Sequence, residues 1–467
     1  MTSADATREQ GFFRPGDRQY FRSLILLAIP LMLQNLLTFG VNFADNLMVG
    51  RLGDAAIAGL YLGNLVQLLL QIMLFGLEST LLILGTQYWG AKDLPHIRNA
   101  TTICLHCSLL FTATVALAVG LAPRFWLRLL TPDMTAVASG AAYLRVVALS
   151  YVPYAAMLFL LCAMRTVEVV RIGLYNSIIA LLVNAGLNYV LIFGKCGFPA
   201  MGVTGAAWGT VAARLIELLV VAFYVFRLDK RLRIRPADLV TKWDRQLFRD
   251  LVRYGAPLMA GEIVWCANIS VQTAIIGQFQ SAGIAAASIA DTMNRLFWMG
   301  VLGLVSATGI LTGKTIGEGR LDDMRHYAKL MQVVFLTVGL LTGGAVFAGR
   351  EWMLSFYRLD EATIPVARAF LNVLAVMMVG RCYQCPCLLG LVKSGGATSF
   401  VFKNDTLWVF LWVLPSAFIA QRFLHAPAWV VYALLLSDQI TKSAVAYWKV
   451  NRFDWMLRLT RDAKDAS

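Results

Sequence analysis

Few side chains in this chain can do chemistry, and they lie in unusual places. Asp45 sits in Val41-Asn42-Phe43-Ala44-Asp45-Asn46, near the end of a long apolar run. An ionisable group at such a depth is costly and is read first as functional. A carboxyl group held away from water can trade a proton, or it can ligate a bare cation such as Na⁺ with help from amide and hydroxyl oxygens. The plainer alternative is that Asp45 caps a helix end beside Arg51. Asn184 and Asn188 are four residues apart, so a helix puts them on one face. With Thr210 they add oxygens to one coupling-ion site, or they simply hydrogen-bond neighbouring helices together.

The second half of the chain offers its own candidates: Glu262, Gln272, Asp291 and Asp405. Glu262 lies five residues beyond Pro257 and suits ion coupling or pairing with a cationic substrate. Asp291 with Arg295, Asp438 with Lys442, and Arg214 with Glu217 have helical spacing and are expected to neutralise each other. Glu78, Asp405 and Arg381 lack a local partner. They must find one across helices or line a wet cavity.

Composition fixes the setting. Of 467 residues, 58% are hydrophobic and 15% charged, against about 25% charged in a soluble domain. The mean hydropathy is +0.66. The net charge of +14 sits in short loops between apolar runs, which argues for topology rather than nucleic acid. Residues 1–22 are polar and the first apolar run is too long for a cleaved leader, so it is retained as a membrane helix. Cys104-Leu105-His106-Cys107 and Cys382-Tyr383-Gln384-Cys385-Pro386-Cys387 have metal-like spacing. With four His in the chain and no second matching pair, packing between helices explains these Cys better, and no metal or other cofactor is expected beyond Na⁺ at Asp45. The 12 Trp, 15 Tyr, 26 Phe and 17 Met suit a site for flat hydrophobic cations, and equally an interfacial belt and packing.

Reading apolar runs against polar breaks gives twelve membrane helices, near 23–49, 55–88, 99–122, 135–163, 172–194, 203–226, 252–277, 283–315, 328–349, 364–392, 399–421 and 427–449. Alternate loops carry 28 Lys and Arg against 8 on the other side. That imbalance places both termini in the cytoplasm. A gapless shift of 227 residues then lays Pro30-Leu31-Met32 on Pro257-Leu258-Met259, Gly50 on Gly277, Gly76 on Gly303, Gly90 on Gly317 and Arg98 on Arg325. The same shift lays Asp45 on Gln272. An even number of helices per repeat gives both halves one orientation, related by a pseudo-two-fold axis along the membrane normal. The expected fold is all-α, with two six-helix bundles: a tail at 1–22, a first lobe at 23–227, a basic loop at 228–250, a second lobe at 251–450 and a tail at 451–467. Trp243 to Tyr254 is expected as an interfacial helix.

Phosphate-binding and nucleophile motifs are absent; Gly313-Lys314-Thr315 lacks the preceding glycine spacing. Transport is therefore expected to run on an ion gradient, and the chain is not expected to be an enzyme. Two further readings remain: a flippase for lipid-linked saccharides and a membrane-embedded enzyme.

Several segments resemble the MATE multidrug exporters. They are Ile29-Pro30 followed by Val41 to Gly53, Gln87-Tyr88-Trp89-Gly90-Ala91, Asn184 to Gly194, Gly202 to Thr210, and Lys393 to Thr398. The resemblance implies export of organic cations and other drugs by a monomer in the inner (plasma) membrane, with small molecules, H⁺ or Na⁺, and membrane lipid as partners. It implies that Asp45 is the family's first-helix carboxylate, Asn184 its helix 5 Asn and Thr210 its helix 6 Thr. Asn188 stands where many prokaryotic members carry a second Asp. Glu262 lies about one turn before the helix 7 Glu of another branch.

Overall fold

The computed structural model describes residues 14, 16–357 and 359–460. Most of the expected N-terminal tail with Arg8, Arg358, and the last residues from Arg461 lie outside the described residues. Twelve helical spans follow one another. Helix 1 is Asp17–Gly50, helix 2 Asp54–Gly90, helix 3 Leu94–Leu121, helix 4 Met134–Thr166, helix 5 Arg171–Phe193, and helix 6 Val203–Phe223 with a π-turn Tyr224–Leu228. Helix 7 is Arg245–Ile276, helix 8 Ser281–Gly317, helix 9 Leu321–Ser355 and helix 10 Thr363–Val392. Helix 11 runs through Thr398–Trp408, Val409–Val413 and Leu414–Arg422, and helix 12 through Ala428–Leu435 and Asp438–Arg452.

The irregular places have local causes. Helix 10 widens to a π-helix from Pro386, and helix 11 does so just before Pro415. Proline lacks the N–H that a regular helix needs, and the wider turn absorbs the fault. Several starts are capped by Asp. Asp93 accepts from His96 N at 3.2 Å, and Asp133 from Thr135 Oγ1 and N at 2.7 and 2.9 Å. Those bonds from Thr135 hold the exposed Asp133 carboxyl below its usual range.

Two sequence expectations need correction. Helix 1 begins at Asp17 rather than near 23, so the stretch 17–22 is helical. The expected interfacial helix from Trp243 to Tyr254 is not separate. Asp244 caps helix 7 by accepting from Gln246 N at 2.8 Å and Leu247 N at 3.2 Å, and one helix runs on to Ile276. Leu247 and Leu251 are buried in the first lobe's core, so packing rather than a lipid surface holds this segment.

The halves meet along a seam at the end that carries the termini, and each half lends its first helix to the other. Tyr20, Leu24, Leu27 and Leu31 of helix 1 are buried with Leu304, Ala307, Ile310 and Tyr327 of the second half. Leu247, Leu251 and Leu258 of helix 7 are buried in the first half's core. The close approaches obey the 227-residue shift. A Cβ on Gly76 would lie 3.1 Å from Met259 Cα, and one on Gly303 2.8 Å from Met32 Cα. Gly313 faces Thr86, its own repeat mate, so the pseudo-two-fold axis passes between them. Small residues allow such backbone contact inside a membrane, where apolar surface alone does not drive helices together.

Polar ties cross the same seam. Glu168, with a left-handed φ of 61°, receives Lys314 Nζ at 2.8 and 2.9 Å and Trp89 Nε1 at 3.2 Å. Gln87 accepts from Leu459 N at 2.8 Å and donates to Leu457 O at 3.1 Å. Asp17 meets His326 at 3.0 Å, and Tyr20 stacks on Tyr327 at 3.9 Å between centroids. Toward the other end the seam gives way. Gly40 of helix 1 faces open space, and Phe43, Leu47, Ile263 and Trp265 are exposed.

Glu168→Gln should loosen this seam by about 1 kcal/mol, the upper end of the scale for a partly exposed ion pair. A cysteine at the buried Thr86, in a background without other reactive thiols, should then react with a maleimide about fivefold faster. An unchanged labelling rate would show that the Lys314 pair does not hold the lobes together.

Candidate functional site

One polar cavity lies inside the first lobe. Helix 1 turns Thr38, Asn42 and Asp45 toward it, and helix 2 contributes Asn64 and Gln67. Helix 5 supplies Ser177 and Asn184, and helix 6 supplies Thr210, Arg214 and Glu217. The spacings of three, four and seven are those of helix faces. Helix 4 adds Tyr143. The cavity is small, with ≈ 40 Å³ open to the centres of water molecules, room for a few waters.

Asp45 is half-buried and points into this cavity, not at Arg51. Asn188 Nδ2 donates to Asp45 Oδ1 at 2.5 Å and to Asn184 Oδ1 at 3.2 Å. Both asparagines are buried, Asn188 completely. A buried amide without partners is costly, so these bonds fix its rotamer. Its position also depends on helix 6. Gly205 and Gly209 form a small-xxx-small pair that brings helix 6 against helix 5. A Cβ on Gly205 would press within 2.6 Å of Leu191 O, and one on Gly209 would overlap Asn188 Oδ1. That oxygen has no hydrogen-bond partner among the described residues.

Thr210 lines the cavity but gives its proton to Ala206 O at 3.0 Å. Its oxygen also accepts from the Tyr143 hydroxyl. Arg214 Nη1 donates to Glu217 Oε2 at 2.8 Å, and the guanidinium lies 4.6 Å above the Tyr154 ring. The four coupling-ion candidates of the first half, Asp45, Asn184, Asn188 and Thr210, therefore do come together.

The second-lobe candidates separate into different places. Gln272 donates to Asn268 Oδ1 at 3.1 Å and to Leu435 O at 3.3 Å, tying helix 7 to helix 12. Asp291 pairs with Arg295 at 2.7 Å on an exposed stretch. Asp405 receives Lys442 at 2.9 Å, and Lys442 also meets Asp438 at 3.0 Å. Glu262 is half-buried and faces Lys393 and Asp405 at longer range. These four candidates share no single cavity among the described residues.

The lone charges find partners across helices. Glu78 pairs with Arg165 at 2.5 Å, and Arg381 donates to Asn294 at 2.6 Å while lying 4.1 Å over Trp298. Sequence reasoning missed Tyr143, Asn64 and Gln67, for nothing in their apolar surroundings marks a cavity. It also read Arg214 and Glu217 only as a self-neutralising pair. The available signal was that Arg214 follows Thr210 by four residues and Glu217 by seven. His106, part of the metal-like spacing, accepts instead from Trp243 Nε1 at 3.0 Å.

This geometry can be set beside known proteins. The chain is 25% identical to the multidrug resistance protein PmpM of Pseudomonas aeruginosa, across 79% of this chain and 77% of that one. It is 25% identical to the probable multidrug resistance protein NorM of Halalkalibacterium halodurans, across 94% and 96%. Among solved structures, a MOP superfamily transporter from Pyrococcus furiosus superposes with a TM-score of 0.83 at 17% identity, over 93% of this chain and 96% of that one. The Vibrio cholerae MATE transporter VcmN in its bent form gives 0.84 at 16%, over 94% and 98%. These structures share the fold. The MatE family model matches residues 30–190 and 262–404, which takes in most of both repeats. A twelve-helix membrane protein with this repeat and these relatives is a transporter and not an enzyme, and the chain belongs to the MatE family of multidrug efflux transporters.

Proposed function

We propose that this chain is a secondary antiporter that exports drug-like, often cationic organic molecules in exchange for H⁺ or Na⁺ taken up at Asp45. The observation that carries this reading is the placement of Asp45. It lies in a polar cavity, gripped by Asn188, on a helix shared by both lobes. Loading an ion there cancels the charge that Asn188 holds, and the grip on that half of helix 1 weakens. The other half of helix 1 is packed in the opposite lobe, so the change reaches the seam. Rocking of the two lobes about that seam then alternates access.

The excess of Lys and Arg in alternate loops supports cytoplasmic termini in an inner (plasma) membrane. On that orientation the tight seam closes the cytoplasmic side, and the exposed ends of helices 1 and 7 flank an outward opening. A monomer surrounded by lipid suffices for this scheme, since both lobes are on one chain.

Two substitutions test it. In proteoliposomes, Asp45→Asn should abolish ethidium efflux driven by an imposed ion gradient while protein yield is kept; undiminished efflux would remove Asp45 from coupling. Gly209→Ala pushes a methyl into Asn188 Oδ1 and should cost about 1–3 kcal/mol of local packing. Ion-driven efflux should fall roughly tenfold with the fold intact by circular dichroism. Normal efflux from the Gly209→Ala protein would mean that the Asn188 position is immaterial.

A further inference from the structure

We infer that Arg214, pinned by Glu217, makes the Asp45 cavity selective for protons by acting as a built-in cation that keeps alkali ions out. This rests on the antiport reading above and decides which ion it uses.

Arg214 and Glu217 line the same cavity as Asp45. Among the described ion pairs none joins Arg214 to Asp45, so the guanidinium is a neighbour and not a bonded partner. It is not free to leave. Nη1 is held by Glu217 at 2.8 Å, the plane rests 4.6 Å over Tyr154, and Glu217 is only 4% exposed. An arginine cannot be neutralised in a protein, so this positive charge is permanent.

A hard cation needs a shell of oxygen ligands to replace its water. The groups nearest Asp45 present donors instead. Asn188 turns its Nδ2 toward Asp45, and the Asn184 oxygen is occupied by that same Nδ2. The Asn188 oxygen is turned away toward Gly209. Arg214 has donors only. The hydroxyls of Thr38 and Ser177 and the amides of Asn42, Asn64 and Gln67 also line the cavity, as do Thr210 and Tyr143, which bond each other; neutral oxygens are present, and the fixed guanidinium charge is what opposes a cation. None of the groups facing Asp45 from helices 2, 4 and 5 is charged; helix 6 brings Arg214 and Glu217.

The guanidinium disfavours any added positive charge. A proton gains a covalent O–H bond in return, whereas a sodium ion gains only neutral oxygen ligands beside a permanent positive charge. When Asp45 takes a proton on its free carboxylate oxygen, its charge goes to zero and the Arg214–Glu217 pair stays neutral. The cavity then carries no net charge, with no further ion required.

The full-length protein in liposomes tests this with two separate gradients and ethidium as the reporter. The wild type should export under a pH gradient without Na⁺ and should not respond to a Na⁺ gradient at equal pH. In detergent its melting temperature should be the same in Na⁺ and K⁺. Arg214→Gln combined with Glu217→Gln empties the site of both fixed charges and should gain Na⁺-specific stabilisation, with Na⁺ held at least about tenfold more tightly. Arg214→Lys keeps a cation and should stay indifferent to Na⁺, which covers the case in which the double variant does not fold. Na⁺-driven efflux by the wild type, or a Na⁺-specific melting shift in it that Asp45→Asn removes, overturns the proposal. So does a folded double variant that stays blind to Na⁺. Failure of both gradients in the wild type overturns the antiport reading instead, and the melting arm still reads ion selectivity.

Discussion

The hydrogen bond from Asn188 to Asp45 is the interaction on which the rest is arranged. A carboxylate in a low-dielectric bundle must be met by donors, or it does not stay charged. Here one amide does this, and its place is set by how closely helix 6 can approach helix 5. Gly205 and Gly209 permit that approach, and Gly209 leaves room for the far side of the amide. A pair of missing methyl groups on one helix thus determines where a charge on another can sit. The same packing fixes Thr210, the next residue after Gly209, and Arg214, a little over one turn further on, so the electrostatics of the cavity follow from backbone spacing.

Helix 1 carries that local arrangement to the whole molecule. Its terminus-side half is buried among second-lobe residues and its other half bears Asp45 in the first lobe. Helix 7 makes the reciprocal exchange. The seam between the halves is built from paired small residues at repeat-related positions, with Gly76 against Met259 and Gly303 against Met32. Symmetry holds for shape more than for charge. Lys314 is the repeat mate of Gln87, and each reaches a loop of the other half, but one ends on the Glu168 carboxylate and the other on backbone groups around Leu457 and Leu459. Like backbones meet at the axis, and different side chains set the strength of each tie.

Much of this was legible in the residues. Hydropathy alone placed twelve helices to within a few residues at most ends, because lipid leaves the backbone few options. The 227-residue repeat was readable because Pro and Gly at matched positions do backbone work that other residues cannot. Asp45, Asn184, Asn188 and Thr210 could be grouped from spacing together with family resemblance. The second-lobe candidates could not be sorted from the sequence, for a physical reason. Glu262, Gln272, Asp291 and Asp405 all look equally stranded in an apolar sequence, yet Lys442 and Arg295 satisfy two of them, and a carbonyl of helix 12 helps to hold the third. Whether a charge is paired across helices depends on rotations and depths that the order of residues does not display. The start of helix 7 was misplaced for a related reason: a polar, basic stretch reads as surface, while Leu247 and Leu251 bury one face of it.

The inequality of the two lobes follows from the same accounting of charges. In the second lobe Asp291, Asp405 and Asp438 each have a cation at bonding distance, so taking up another positive ion there would mean breaking an existing pair. In the first lobe Glu78 and Glu217 are likewise taken by Arg165 and Arg214. Asp45 differs, since its nearest hold is a neutral amide. Gaining a positive charge there breaks no ion pair. Among the described residues, Asp45 shares this freedom from a bonded cation with Glu262, but only Asp45 sits in the polar cavity of the first lobe. Repeat symmetry would have doubled that position, but Gln272 fills its mate with a side chain that has no charge to change.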